Sequence, residues 1–430
     1  MYYHIISLGC PKNLVDSEVF HHIFQQAGYT NMENPMKANI IFINTCGFIQ
    51  EAQEEAVNTI LEICHLKNKQ IIVTGCLVKR FKKDLIKKIP EVNFWLDLKD
   101  FQGLKKIITP KTQKRAKYKA TFPRCLLTPH HYAYLRLSDG CNNHCTYCAI
   151  PSIRGPHCSV AIPDLINEAQ WLSSLGVQEL IITAQDTTLY GSDIYGKPML
   201  SELLNTIESL NLFPWIRLLY LHPTHLNEKL IDELSQLKSL LPYFDIPLQH
   251  ISTDILNLMN RQIDKETTIQ KLNYLRRQFP QAAIRTTFMT GFPGEKKQHF
   301  TELKTFIQDF NFTRLGVFCY SPEKGTPAYY LPNKVAKTIA QKRKDQLMAL
   351  QQQISPQILA SFVGTKMEVI IDRKSDHPDY QYEGRSYLDA PDIDGIVYLE
   401  NGNFRVGEIV EAEITEAWEY DFVAKVTNKS

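Results

Sequence analysis

Three cysteines stand in a C-x3-C-x2-C pattern, Cys141, Cys145 and Cys148, within the stretch SDGCNNHCTYCAIPSIRG at residues 138–155. Thiolate is a soft ligand that takes zinc, cuprous copper or iron–sulfur clusters. A cubane iron–sulfur cluster ordinarily takes one thiolate per iron. A loop that supplies only three leaves one iron open to another ligand. Zinc is the competing reading, because it fills a tetrahedral shell, with His144 or His157 as the available fourth donor. His144 lies inside the loop beside Cys145 and reads as solvent-facing or as an outer neighbour of the site. Cys158 follows Pro151, Gly155 and Pro156, and with Cys64, Cys125 and Cys319 it reads as structural.

A second set of three cysteines is spread along the N-terminal quarter. Residues 2–8, 39–45 and 70–74 are short β-rich apolar runs, and Cys10, Cys46 and Cys76 follow them in turn. Helical spacing over 15–28, with Gly28 as a stop, and over 54–66 alternates with these strands. Strand–helix alternation means a parallel sheet, in which ligands bind beyond the carboxyl ends of the strands. The three cysteines are separated by 35 and 29 residues, yet each occupies that position. The topology therefore predicts a second three-thiolate site, against the alternative of three separately buried cysteines.

The elements that must position the first loop start at residue 132. Strands are predicted at 132–137, 178–184, 215–221, 243–248, 283–289 and 314–320, with helices near 163–175, 199–209, 226–238, 264–278 and 296–309. Six strands with helical crossovers fit a partial or full β/α barrel, with the cysteine loop after its first strand, on the face where barrel active sites sit. Residues 100–124 read as a lysine-rich linker, and 334–360 as a long amphipathic helix. After Gly364 short strands predict a small β-barrel of about five strands.

Bulk properties bound the rest. At 430 residues, two or three domains are expected. No apolar run approaches the roughly 18 residues a membrane helix needs. The start MYYHIISLGCPKN lacks a basic stretch followed by an apolar one, as a secretory leader would have. The expectation is a cytoplasmic protein whose ten cysteines are ligands, catalysts or buried residues rather than disulfides. The net charge of +2 hides an asymmetry: residues 364–430 hold fifteen acids and seven bases, a net −8 that leaves +10 on residues 1–363. An acidic module of this kind suits a basic partner better than a polyanion.

The cysteine loop after the first barrel strand, with Tyr147 just before Cys148, resembles that of the radical S-adenosylmethionine enzymes. Adding the N-terminal cysteine module and the terminal β-barrel, the whole chain resembles the methylthiotransferases, whose last module is called TRAM. LGCPKNLVDSE (8–18), INTCGFI (43–49), AQDTTLYG (184–191), YLHP (220–223), DIPLQH (245–250), TTFMTGFPGE (286–295) and DAPDIDG (389–395) resemble the RimO branch, which acts on an aspartate of ribosomal protein S-twelve. A second branch, which modifies adenosine in transfer RNA, is the alternative.

The resemblance implies a fold of class α/β: an N-terminal parallel α/β domain over 1–115, a central radical-SAM partial (β/α) barrel over 127–360 and a small all-β TRAM barrel over 361–430. It implies two [4Fe-4S] clusters, on Cys141, Cys145 and Cys148 and on Cys10, Cys46 and Cys76. It also implies S-adenosylmethionine as both radical source and methyl donor, sulfur delivery by the second cluster, a reductant such as flavodoxin or ferredoxin, and a protein rather than a nucleic-acid substrate. Tyr147, Gln185, Asp186, Gln249, Gly291, Pro293 and Gly294 are the expected cofactor-lining residues. Gln249 and His250, after the fourth strand, stand between lining the S-adenosylmethionine site and a packed or loop-capping role, and Glu323 and Lys324 stand between substrate contact and loop capping. Asp389, Asp392 and Asp394 are expected to grip basic side chains of the partner.

Overall fold

The computed structural model describes residues 1–108, 124–400 and 402–428. The chain divides into two compact units: Met1–Thr128 with Asp139–Asn142 and Ala149–Pro156, and Pro129–Ser138 with Asn143–Cys148 and His157–Ser430.

The first unit is built on a five-stranded parallel sheet in the order Thr30–Asn31, Tyr2–Ser7, Ile40–Thr45, Gln70–Gly75, Phe94–Trp95. All six residues of Ile40–Thr45 are buried, as expected of a central parallel strand covered on both faces. Pro11–Gln26 packs on one face through Val19, Phe20, Ile23 and Phe24. Gln50–Cys64 and Cys76–Lys88 pack on the other, through residues such as Ala56, Ile60, Leu77 and Leu85. The expected linker at 100–124 is corrected at its start. Phe101–Ile108 is a helix whose Phe101, Leu104 and Ile108 are buried. Apolar residues at that spacing share one helical face, a signal the neighbouring lysines obscure. The rest of that expectation falls mostly on 109–123, outside the described residues.

The second unit holds an open six-stranded parallel sheet. Its strands, Tyr132–Arg136, Glu179–Thr183, Trp215–Leu218, Leu240–Asp245, Ala283–Thr290 and Arg314–Cys319, lie side by side in chain order. It is thus a partial barrel. The 24-residue helix Lys337–Ala360 follows. A closed barrel is then formed by Lys366–Lys374, Tyr382–Arg385, Val397–Leu399, Phe422–Asn428 and Ile409–Ala417 in that spatial order. Among the described residues no helix is long and apolar enough to cross a membrane.

Asp389 and Asp394 differ from expectation. Asp389 is fully buried and pairs with Arg314, and Asp394 lies 3.4 Å from Arg285 Nε. They grip arginines of the chain's own parallel sheet, because a buried carboxylate needs a cation close by. Asp392 alone of the three is exposed, and it accepts from the Tyr132 hydroxyl at 3.4 Å.

Candidate functional site

In the first unit the thiols of Cys10, Cys46 and Cys76 stand at the ends of three adjacent strands. Cys10 caps the helix Pro11–Gln26 in an extended conformation, and Pro11 takes the first helical position, where a missing N–H costs nothing. Cys76 is the first residue of its helix rather than a loop residue after the strand.

Glycines allow these turns to close on one another. Gly9 has φ +87, and a Cβ there would lie 2.7 Å from Cys46 Cβ and 2.8 Å from its Sγ. A Cβ on Gly47 would lie 2.6 Å from Leu77 Cα and 2.9 Å from the Cys76 carbonyl carbon. Only glycine tolerates such contacts, so the sequence GC, CG, GC at the three turns is a packing requirement.

Electrostatics follow from that packing. Burial pushes the Cys76 thiol up to about 12, Arg154 pulls it back, and Cys10 and Cys46 add to the rise. Burial also raises Cys46, with Cys10 contributing. Cys46 and Cys76 therefore resist ionising, and a cationic metal core bound there would favour their thiolates. The donor set fits an iron–sulfur cluster.

Residues that sequence reasoning missed surround this set. Arg154, almost fully buried, pairs with Asp16 at 3.0 Å and Asp139 at 3.2 Å, and its Nη2 donates to Asn13 Oδ1 at 3.3 Å. Asn44 donates to the Asn13 carbonyl and Ser17, both at 2.9 Å. Asn13, Asp16 and Ser17 lie at spacings of three, one and four on one helix, directly after Cys10, which was the available signal. Cys141 also belongs to this unit, its N–H donating to the Gly155 carbonyl at 3.2 Å.

The second unit carries Cys145 and Cys148, with the Cys148 N–H donating to the Cys145 carbonyl at 3.0 Å. Thr146 N donates to the Met259 carbonyl at 3.0 Å, and Thr146 Oγ1 to the Leu258 carbonyl at 2.8 Å. Tyr147 packs edge-on against Phe292, with centroids 6.4 Å apart. Arg261 Nη1 donates to Cys145 Sγ at 3.6 Å, to the Tyr147 hydroxyl oxygen at 3.5 Å and to His222 Nε2 at 2.8 Å.

Asp186 follows the strand Glu179–Thr183. Burial alone would raise its carboxyl, but the hydrogen bond from His225, the neighbouring imidazoles and Thr188 outweigh that and hold it at about 2. Asn143 Nδ2 donates to Asp186 at 2.7 Å and His225 Nδ1 lies at 2.9 Å. Asp186, His222 and His225 bring their ligand atoms within 4.8 Å of one another. Arg261 engages the His222 lone pair, so the trio reads as a hydrogen-bonded group rather than a cation site.

The remaining candidates divide. Gln249 has φ +71 and an unpartnered buried Oε1, unusual for a residue other than glycine. Gln185 lies partly buried beside Asp186. His250 Nδ1 accepts from Ser252 N at 2.9 Å, a cap on its turn. Gly291, at φ +77, has its Cβ space filled by Ala340, and Gly294, at φ +89, faces Leu258 Cδ1; both glycines thus have a packing reason in the GFPG turn with Pro293. Glu323 is buried and accepts from Ser321 at 2.5 Å, while Lys324 is exposed. Cys158 is exposed, and Cys64, Cys125 and Cys319 are half-buried. Buried polar atoms without a hydrogen-bond partner, among them Thr183 Oγ1, His222 Nδ1, Gln249 Oε1, Arg261 Nε and Tyr320 Oη, gather at or beyond the carboxyl ends of the sheet strands. Buried polar groups are ordinarily satisfied, and these suit a polar ligand such as S-adenosylmethionine.

Comparison with known proteins gives three successive family matches: a family described as uncharacterized, UPF0004, over residues 2–97, the radical SAM superfamily over 135–307 and a TRAM domain over 363–427. A protein of Aquifex aeolicus named ribosomal protein uS12 methylthiotransferase RimO is 41% identical over 98% of this chain and 96% of its own length. Proteins of the same name from Thermoanaerobacter sp. and Clostridioides difficile are 41% and 40% identical, each over 98% of this chain and 99% and 97% of their own lengths. Among solved structures, the radical S-adenosylmethionine methyltransferase TsrM of Kitasatospora setae, with cobalamin and a [4Fe-4S] cluster bound, superposes with a TM-score of 0.54 at 13% identity. The match covers 76% of this chain and 73% of that one. At that identity the likeness concerns the fold alone.

Proposed function

The chain belongs to the ribosomal protein uS12 methylthiotransferase (RimO) family and is a radical SAM methylthiotransferase, and from that premise we propose that it replaces a hydrogen on the β-carbon of an aspartate of uS12 with a methylthio group. The observation that carries this reading is the identity of about 40% over nearly the whole chain. In this reading Cys141, Cys145 and Cys148 hold the cluster that binds S-adenosylmethionine, and Cys10, Cys46 and Cys76 hold a second, sulfur-delivering cluster. Once bound, these groups supply hydrogen abstraction from an unactivated carbon, a sulfur atom and a methyl group.

The chain's own residues provide the setting. Tyr147, Gln185, Asp186 and Gln249 line the strand ends where S-adenosylmethionine would lie, and the turn of Gly291, Pro293 and Gly294 borders them. Asn143 and His225 fix the Asp186 carboxylate. Phe292, fully buried, and half-buried Tyr147 pack together beside Cys145 and Cys148 and would limit the access of water there. The exposed acids of the terminal barrel, among them Glu368, Glu411, Glu413 and Glu416, favour a basic ribosomal protein over transfer RNA. A low-potential donor of the flavodoxin or ferredoxin class would supply electrons.

The test is anaerobic reconstitution with iron and sulfide, followed by incubation with uS12 and, separately, with unmodified transfer RNA. About eight irons per chain and a gain of one methylthio group on the uS12 aspartate by tandem mass spectrometry are expected. Modified adenosine with unmodified uS12 would move the chain to the nucleic-acid branch.

A further inference from the structure

Arg261 is a buried cation without a carboxylate. The residue is 3% exposed, and among the described residues no ion pair joins it to an Asp or Glu. Asp186, a nearby carboxylate, is already engaged by Asn143, Thr188 and His225. Asp186 favours the charge from a longer range, but a buried guanidinium with no carboxylate in contact is costly, and an anion in direct contact would offset that cost.

The contacts it does make point to the source. Nη2 donates to the Pro247 carbonyl at 2.5 Å. Nη1 is shared among His222 Nε2, the Tyr147 hydroxyl and Cys145 Sγ. Because a guanidinium only donates, His222 accepts through Nε2 and is neutral, so it offers no negative charge. Cys145 is the anion within reach once it is a thiolate.

The backbone holds the residue in this place independently of its side chain. Asn260 and Gln262, on either side of Arg261, have φ +54 and φ +53. Asparagine adopts this conformation readily, whereas Gln262 holds it only because the surrounding structure imposes it. Here Asn260 Nδ2 donates to the His144 carbonyl at 3.0 Å, Thr146 N donates to the Met259 carbonyl, and Thr224 Oγ1 donates to the Arg261 carbonyl at 2.7 Å. The turn is thereby fastened to the segment that carries Cys145.

We propose that Arg261 is the counter-ion and N–H···S donor of the cluster seated on Cys145 and Cys148, a positioning residue that sets how readily this cluster takes up its electron. The inference rests on the cluster assignment above. A cubane with three thiolate ligands is anionic and gains a further negative charge when one electron enters from a reductant. A fixed cation and a hydrogen bond to sulfur favour the reduced form and raise the potential.

The experiment is a potentiometric titration followed by electron paramagnetic resonance, with dithionite as reductant and no substrate present. The full chain with Cys10, Cys46 and Cys76 replaced by alanine isolates one cluster. Arg261→Met and Arg261→Gln remove the charge, and Arg261→Lys retains it. In the neutral variants the reduced-to-oxidised ratio at a fixed potential should fall about tenfold, a lowering of about 59 mV for a one-electron couple, at unchanged iron content. Arg261→Lys should recover part of the shift. An unchanged midpoint in an iron-replete neutral variant overturns the proposal. Loss of iron from both neutral variants overturns it too, because Arg261 would then be needed for retention rather than for potential. Failure to modify uS12 would sink the proposed activity without moving this midpoint.

Discussion

At the scale of single residues, the first unit depends on glycine as much as on cysteine. The Gly9 backbone lies so close to Cys46 that a methyl group cannot enter without displacing it, and its φ of +87 already disfavours any side chain. Gly9→Ala should cost about 1–3 kcal/mol of stability, read as a lower midpoint in urea. It should also reduce the iron bound by an enzyme whose Cys141, Cys145 and Cys148 are intact. A variant of full stability and iron content would show that the turns are not tightly coupled. Arg154 and Asp16 follow the same logic: a cation within reach of Cys76 is held by carboxylates, so it lowers the thiol without being free to move.

At the scale of elements, strands aim the chemistry and helices fix the strands. Cys10, Cys46 and Cys76 follow three adjacent strands paired in register, so their positions are set by sheet register rather than by loop conformation. The short helix Phe101–Ile108 contributes to that rigidity from the edge. Leu104 is fully buried against Phe20 and Phe42 in one apolar cluster. Leu104→Ala should destabilise the protein by about 2–5 kcal/mol, measurable by chemical denaturation, whereas a flexible linker at this position would give almost no change. In the second unit the helix Lys337–Ala360 is seated by Ala340 against Gly291 and by Gln351 donating to the Phe312 carbonyl at 2.9 Å.

At the scale of the molecule, the terminal barrel is tied to the parallel sheet by buried charge. Glu179, fully buried, accepts from Arg217 Nε at 2.6 Å and from Arg385 Nη1 at 2.7 Å. Arg385 also pairs with Asp372, and Arg217 donates to the Tyr387 carbonyl at 2.8 Å. Glu179→Gln leaves two guanidiniums without this shared anion and should cost about 3–5 kcal/mol. Burial alone would raise the Glu179 carboxyl, but the two arginines outweigh it and lower it. A depressed folded-state value means stability that is present above the unfolded carboxylate range, about pH 4.3, and lost as pH falls through the lower folded value. The gap between the parent and Glu179→Gln in urea midpoint should therefore narrow in acid, and a constant gap would contradict this account.

Much of the fold and of the candidate site was legible because local signals carry them. Alternation of strand and helix fixed two parallel sheets, and cysteine after strand at residues 10, 46 and 76 follows from topology alone. The helix at Phe101–Ile108 was hidden, since lysines on its exposed face mimic a linker. Arg261 could not be found from spacing: it meets Cys145 across 116 residues of chain, and only the folded turn brings them together. The acids at 389 and 394 were read as open to a partner because composition gives a charge but not its neighbour. By itself the sequence determined the domain order, the two cysteine sets and the acidic terminal module, all properties of residue type and local period. Only the tertiary structure decided which charges are spent inside the protein and which remain outside, because desolvation and pairing depend on neighbours that are distant in the chain.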